Sequence, residues 1–199
     1  MIGIIDYGAG NLYSVEKAVK LLNFPTKIIA EPRDFIGIDK IIFPGVGSAG
    51  KTMEIIRAHG LDHKIKEAIK EGIPFLGICL GMQLLMEYSK ENDTYCLSIF
   101  EGAVHPFQNS VKVPHMGWNE VHQKSKHPIF KNIPDTSDFY FVHSFYVQPK
   151  NETDTFGTTN YGQNFCSVIG KDNVIGVQFH PEKSAEAGLA IIENFCGNF

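Results

Sequence analysis

The sequence predicts an α/β protein with a mostly parallel central sheet flanked by helices and an antiparallel section in the second half. Three observations carry this expectation. Up to Ser89, short apolar runs alternate with segments whose apolar residues recur at helical spacing, the pattern of a parallel sheet covered on both faces. Beyond Ser89 the rhythm changes to short extended pieces separated by turn-rich stretches, as in antiparallel hairpins. The 199 residues, 43% of them apolar and 20% charged, suffice for one domain spanning residues 1–199 with a core of its own.

Each element follows from its residues. Ile2-Gly3-Ile4-Ile5 is a buried-strand run that stops at Asp6-Tyr7-Gly8-Ala9-Gly10. Leu12, Val15, Val19 and Leu22 then recur at helical spacing until Asn23-Phe24-Pro25 ends the segment. Lys27 to Ala30 reads as the second strand and Lys40 to Phe43 as the third. Helical signal returns over Met53 to Arg57 and Asp62 to Lys70, closed by Glu71-Gly72. Pro74 to Ile78 is the fourth strand, and a helix carrying Leu80, Leu84 and Leu85 is expected to follow it. In the second half the extended pieces are Gly102 to Phe107, Trp118 to His122, Phe139 to Val142, Phe145 to Gln148, Cys166 to Gly170 and Val174 to Phe179. Turns are expected at Asn160-Tyr161-Gly162 and Lys171-Asp172-Asn173, and a last helix over Ala185 to Phe195 should bury Leu189, Ile192 and Phe195.

Composition removes several function classes. With 22 acidic against 18 basic residues the formal charge is −4, so generic binding to nucleic acid or to an anionic membrane has no electrostatic basis. No apolar run approaches the ~20 residues that span a bilayer, and the first positive charge, Lys17, lies too far along for a secretory leader. The four cysteines form no Cys-x-x-Cys pair, so neither a disulfide scaffold nor a thiolate zinc site is suggested. A reduced, cytoplasmic protein is expected, with no metal and no cofactor.

Gly77-Ile78-Cys79-Leu80-Gly81, set between a strand and a helix, is the nucleophile-elbow pattern with Cys in place of Ser. The sharp turn leaves no room for side chains beside the nucleophile, hence glycine two residues away on each side. Cys79 would stand at a helix N-terminus, where unpaired N–H groups favour a thiolate. The bland alternative is a core cysteine beside incidental glycines.

A nucleophilic Cys needs a base, and eight histidines compete. His59, His63, His122 and His127 read as surface residues, while His105, His115 and His143 near strand ends stay open. His180 closes the apolar run Val174 to Phe179, at the carboxyl end of a strand where sites form in parallel sheets. Pro181 pushes it into an extended conformation. Glu182, two residues on, then points to the same side and can hold the second imidazole nitrogen. Donors for an oxyanion are available from the Leu80 N–H and from the loop Pro44-Gly45-Val46-Gly47. Gly8-Ala9-Gly10 fails as a dinucleotide fingerprint because Tyr13 stands where its third Gly belongs.

The elbow with Met82-Gln83 following it, together with Gln178-Phe179-His180-Pro181-Glu182-Lys183-Ser184, resembles the class I, or triad, glutamine amidotransferases. Asp6-Tyr7-Gly8-Ala9-Gly10-Asn11-Leu12, Pro44 to Gly47, Val113-Pro114-His115-Met116-Gly117-Trp118-Asn119 and His143-Ser144-Phe145 narrow the resemblance to the glutaminase subunits of imidazole glycerol phosphate synthases. It runs from Gly3 to Phe195. It implies a glutamine amidotransferase fold and a glutaminase half of a heterodimer, supplying ammonia to a (β/α)8-barrel synthase in histidine biosynthesis. It also implies roles: Cys79 as nucleophile, His180 as general base and acid, Glu182 as orienting carboxylate, Val46 and Leu80 as backbone oxyanion donors. Gly47, Gln83, Glu91, Ser144 and Phe145 fall where glutamine is held, and Asn11, Trp118, Tyr140 and Lys183 where the synthase docks. Phe145 replaces a common Tyr, and Cys96 to Gly102 lacks glycines usual in the family. Two other readings stand beside this one: a paralogous glutaminase serving a sugar-amidating enzyme, and a non-catalytic redox-sensing domain using Cys79.

Overall fold

The computed structural model describes residues 1–8, 11–108 and 111–199; Ala9 and Gly10 of the first glycine-containing turn lie outside the described residues. The strands of the first half are β1 (Ile2–Ile5), β2 (Thr26–Ile29), β3 (Lys40–Phe43) and β4 (Phe75–Ile78), interleaved with helices α1 (Leu12–Leu21), α2 (Ala49–Ala58) and α3 (Leu61–Lys70). After β4 come a one-turn helix α4 (Leu80–Gln83) and strands β5 (Met86–Ser89), β6 (Thr94–Tyr95), β7 (Phe100–Pro106), β8 (His115–Gln123), β9 (Ser137–His143), β10 (Phe145–Pro149), β11 (Thr155–Asn160), β12 (Asn164–Lys171) and β13 (Val174–Val177). Helix α5 (Ala185–Asn198) closes the chain's described elements.

Strands β2, β1, β3, β4 and β13 lie side by side and all parallel. The sheet continues through β12, β10 and β7, each antiparallel to its predecessor, to β5 and β6. A branch carries β11 from β12 to β8, which pairs with β9. The period of two sends alternate side chains to opposite faces. Ile41, Phe43 and Phe75 pack with Met53, Ile56 and Ile65 of α2 and α3, whereas Ile42, Leu76, Ile78 and Val177 pack with Val15 and Val19 of α1 and Ile192 and Phe195 of α5.

Two expectations differ from the structure: Leu189 of α5 is only half-buried, because it sits on the helix edge beside α1, and the helix after the elbow is shorter than expected. The helix after the elbow ends at Gln83, and Leu84 and Leu85 do not extend it but lead into β5. Both are fully buried, so their apolar run reflects the core and not a helical period. The segment poor in family glycines is held by backbone bonds, from Leu97 N–H to Leu84 C=O and from Ser98 N–H to Met86 C=O, with Ser98 taking the positive φ of 56° that glycine usually supplies. Among the described residues no helix is long and apolar enough to cross a membrane.

Lys40 ties β3 to α5. Its Nζ donates to the carbonyls of Phe195 and Cys196 at 2.9 and 2.8 Å, where unpaired carbonyls gather at a helix C-terminus. Lys40→Met keeps the aliphatic stem and removes these two bonds together with a third, from Nζ to the Phe199 carbonyl at 3.0 Å. It is expected to lower unfolding stability by about 1–2 kcal/mol, read as a lower denaturant midpoint at unchanged slope.

Candidate active site

Three adjacent strands deliver the site at their carboxyl ends. β4 pairs with β13 so that Ile78 faces Val177, and the Cys79 N–H continues the ladder to the Val177 carbonyl at 2.8 Å. Cys79 and Gln178 therefore leave the sheet at one level. β3 flanks β4 on the other side with Phe43 opposite Gly77, which brings Pro44 to Gly47 over the same edge.

Cys79 sits at φ 53°, ψ −107°, a conformation that L-residues avoid, just before α4. The glycines make this turn possible. A Cβ on Gly81 would lie 2.1 Å from the Phe43 carbonyl oxygen, one on Gly77 would lie 2.7 Å from the Gly81 carbonyl oxygen, and one on Gly45 would lie 2.5 Å from the Gly81 nitrogen. Leu80 opens α4, so its N–H lacks an intrahelical partner and is free to serve a ligand at Cys79.

His180 is fully buried and extended, at φ −99° and ψ 94°, before Pro181. Its Nδ1 lies 2.9 Å from Glu182 Oε1, and its Nε2 has no hydrogen-bond partner among the described residues. Burial opposes a charged imidazole here, but the negative charge of a Cys79 thiolate and the Glu182 carboxylate outweigh it and raise His180 to about 10. The backbone around His180 is clamped. Its N–H donates to the Tyr140 carbonyl, its carbonyl accepts from Ser184 Oγ, and that hydroxyl oxygen accepts in turn from the Tyr140 N–H. Burial pushes the thiols of Cys96, Cys166 and Cys196 up to about 12 and keeps them protonated.

Val46, Gly47, Cys79, Leu80, Gln83, Glu91, Ser144, Phe145 and His180 line one cavity of about 370 Å³; Glu182 lies behind His180. Glu91 accepts from the Ala49 N–H at the start of α2, at 2.7 Å. Gln83 spends both amide protons, on the Phe145 carbonyl and on Gln178 Oε1, leaving its own carbonyl as the group able to accept from a ligand. The Val46 N–H donates to the Tyr7 hydroxyl at 2.9 Å, and the same hydroxyl donates back to the Val46 carbonyl at 3.0 Å.

Of the positions expected at a partner surface, Trp118 is 55% exposed and Lys183 is exposed, while Tyr140 is half-buried with its ring edge-on to Trp118. Asn11 is buried, and its amide donates to Glu182 Oε1 at 3.4 Å. Sequence reasoning missed Gln178 and Tyr7. Gln178 is fully buried and its Nε2 donates to Cys79 Sγ at 3.6 Å; its place two residues before His180 in an extended run was the available signal. Nothing in sequence spacing points to the Tyr7–Val46 pair. Among the described residues no group of His, Cys, Asp and Glu is arranged to hold a metal.

A buried Cys on a strained strand-to-helix turn, with a His–carboxylate pair beside it and a cavity in front, is an arrangement chemically able to carry cysteine-dependent acyl transfer. The family model for glutamine amidotransferase class-I matches residues 3–198, and the chain belongs to that family. Among individual proteins it is similar to imidazole glycerol phosphate synthase subunit HisH of Dehalococcoides mccartyi strain 195, at 45% identity over 98% of this chain and 96% of that one. Subunit HisH 1 of Methanococcus maripaludis is 46% identical over 98% of each chain. In fold it is similar to the solved structure of PurLQS from Thermotoga maritima, with a TM-score of 0.79 at 16% identity, covering 98% of this chain and 96% of that one.

The pairing of His180 with Cys79 has a direct readout. In long-range nitrogen–proton spectra His180 is expected to titrate near pH 10, staying imidazolium through neutral pH. Cys79→Ala removes the charge that raises it most and should bring its pKa down. A His180 titration unchanged in Cys79→Ala would contradict the pairing.

Proposed function

We propose that this chain is a glutaminase subunit that hydrolyses L-glutamine to glutamate and ammonia through a Cys79 γ-glutamyl thioester. The ammonia goes to a (β/α)8-barrel synthase making imidazole glycerol phosphate and AICAR in histidine biosynthesis, in the cytoplasm. The observation that carries the reading is that Cys79 and His180 line one cavity while Glu182, behind it, holds the imidazole; the names of relatives alike over nearly the whole chain support the choice of pathway.

The Cys79 sulphur attacks the side-chain carbonyl carbon of glutamine. The carbonyl π electrons move to oxygen, which the Leu80 N–H stabilises. His180 Nε2 then gives its proton to the departing nitrogen, ammonia leaves and the thioester remains. Water, deprotonated by the same nitrogen, attacks the thioester, and glutamate is released with the thiolate restored. Glu182 keeps His180 Nδ1 protonated and the ring oriented throughout. The carbonyls of Ser144 and Phe145 are both taken, by the Phe107 N–H and by Gln83, so that this turn presents N–H groups to the substrate carboxylate. Met116 and Trp118, two residues apart on β8 and 61% and 55% exposed, supply an apolar docking face for the synthase.

The second oxyanion donor, the Val46 N–H, is committed to Tyr7, and synthase binding releases it by rotating that peptide next to Gly47, whose φ is 107°. The isolated chain should therefore hydrolyse glutamine ~10²–10³-fold more slowly than the chain with synthase and its nucleotide ligand. Tyr7→Phe should raise the rate of the isolated chain. Ammonia release by the chain alone, with the synthase, and with the synthase and its nucleotide ligand tests this. Equal rates throughout, or a slower Tyr7→Phe chain, would contradict it.

A further inference from the structure

Two buried histidines outside the triad form a directed hydrogen-bond relay that ends on the glutamine-binding turn. The β8–β9 register sets His115 opposite His143, and both are buried, at 3% and 6% exposure. His115 Nδ1 lies 2.9 Å from His143 Nε2, and His143 Nδ1 lies 2.7 Å from the Phe145 carbonyl oxygen. His115 Nε2 lies 3.2 Å from Asn119 Nδ2.

Only one proton arrangement with neutral rings satisfies these contacts. A carbonyl oxygen can only accept, so His143 carries its proton on Nδ1 and accepts at Nε2. His115 must then donate from Nδ1 and accept at Nε2. Asn119 can supply that last proton because its amide orientation is fixed independently: Oδ1 accepts from the Glu120 N–H at 2.9 Å and Nδ2 donates to the Asn160 carbonyl at 2.9 Å. Burial also disfavours charge on both rings, holding His115 down at about 4 and His143 at about 3. His115 is further fixed between the rings of Phe141 and Tyr161, at centroid distances of 4.9 and 4.0 Å.

The relay ends where substrate contact begins. The Phe145 carbonyl accepts from His143 and, at 3.0 Å, from Gln83, so both of its lone pairs are used. His143, Ser144, Phe145 and Gln83 all line the cavity. We propose that His115 and His143 are positioning residues for glutamine binding, a pair of neutral, Nδ1-protonated imidazoles that fix the Ser144–Phe145 turn in the orientation that receives the substrate's amino-acid end. This rests on the reading of the cavity as a glutamine site.

The test uses the chain in complex with its synthase. His115→Phe keeps an aromatic ring in the stack and removes the donor to His143. It is expected to raise KM for glutamine about five- to tenfold, the equivalent of one net hydrogen bond, with kcat changed less than about twofold. His115→Gln retains an N–H donor and should recover most of that loss. In wild type, long-range nitrogen–proton spectra at neutral pH should show both rings neutral with the proton on Nδ1. An Nε2-protonated or charged ring at either position overturns the proposal even if the variants fail to fold. So does an unchanged KM in a folded, active His115→Phe complex. Absence of ammonia release from the wild-type complex would overturn the glutaminase reading instead, leaving the tautomer result to stand by itself.

Discussion

The contact on which the site depends is made between backbones. Gly45, Gly77 and Gly81 let three segments approach beneath Cys79 more closely than any side chain permits, the tightest being Gly81 against the Phe43 carbonyl. That approach bends the chain sharply enough to hold Cys79 at positive φ and to start α4 immediately after it. Holding a β-carbon residue at such angles costs ~1–3 kcal/mol, and the buried residues of β3, β4 and β13 around it supply the packing that offsets this. A Cβ at either flanking position would push the elbow off the sheet edge, and the nucleophile would leave the cavity with it.

Parallel register turns this local geometry into a site. Because β3, β4 and β13 end together, the Pro44–Gly47 loop, Cys79 and His180 arrive on one edge without long connections. Their order also separates duties. His180 is clamped to β9 through Tyr140 and Ser184, whereas among the described residues the Val46 peptide is held by one phenol. A rigid acid–base pair beside a lightly held donor concentrates any conformational control in the loop after β3. Tyr140 meets the Trp118 ring on its other side, so the surface of β8 is two contacts from His180.

The legible parts of the fold are those whose residues see one environment along their length. β1, β4 and the Ile41–Phe43 part of β3 are buried on both faces and read as unbroken apolar runs. β5, β6 and β11 were not legible: Glu87 and Tyr95 are exposed and the Thr155–Asn160 run contains Gly157 and ends in Asn160, so neither alternation nor an apolar run marks them. In the site, Cys79 and His180 could be singled out because an elbow and a strand end leave local traces. Gln178 left such a trace two residues before His180, but Tyr7 and the His115–His143 pair could not be singled out, since each acquires its partner through cross-strand register or packing between distant segments. Asn11, expected at a partner surface, lies buried against Glu182, a contact between positions 171 residues apart that spacing does not encode.

In the proposed mechanism Cys79, alone among the four thiols, bonds covalently to the γ-glutamyl group. Acid quenching of the chain with synthase, nucleotide ligand and glutamine, followed by intact-mass and peptide mass spectrometry, reads this bond. A glutamyl adduct confined to the peptide bearing Cys79 and absent from Cys79→Ala is the result this structure predicts. An adduct on Cys96, Cys166 or Cys196, or steady ammonia release by Cys79→Ala, would contradict it.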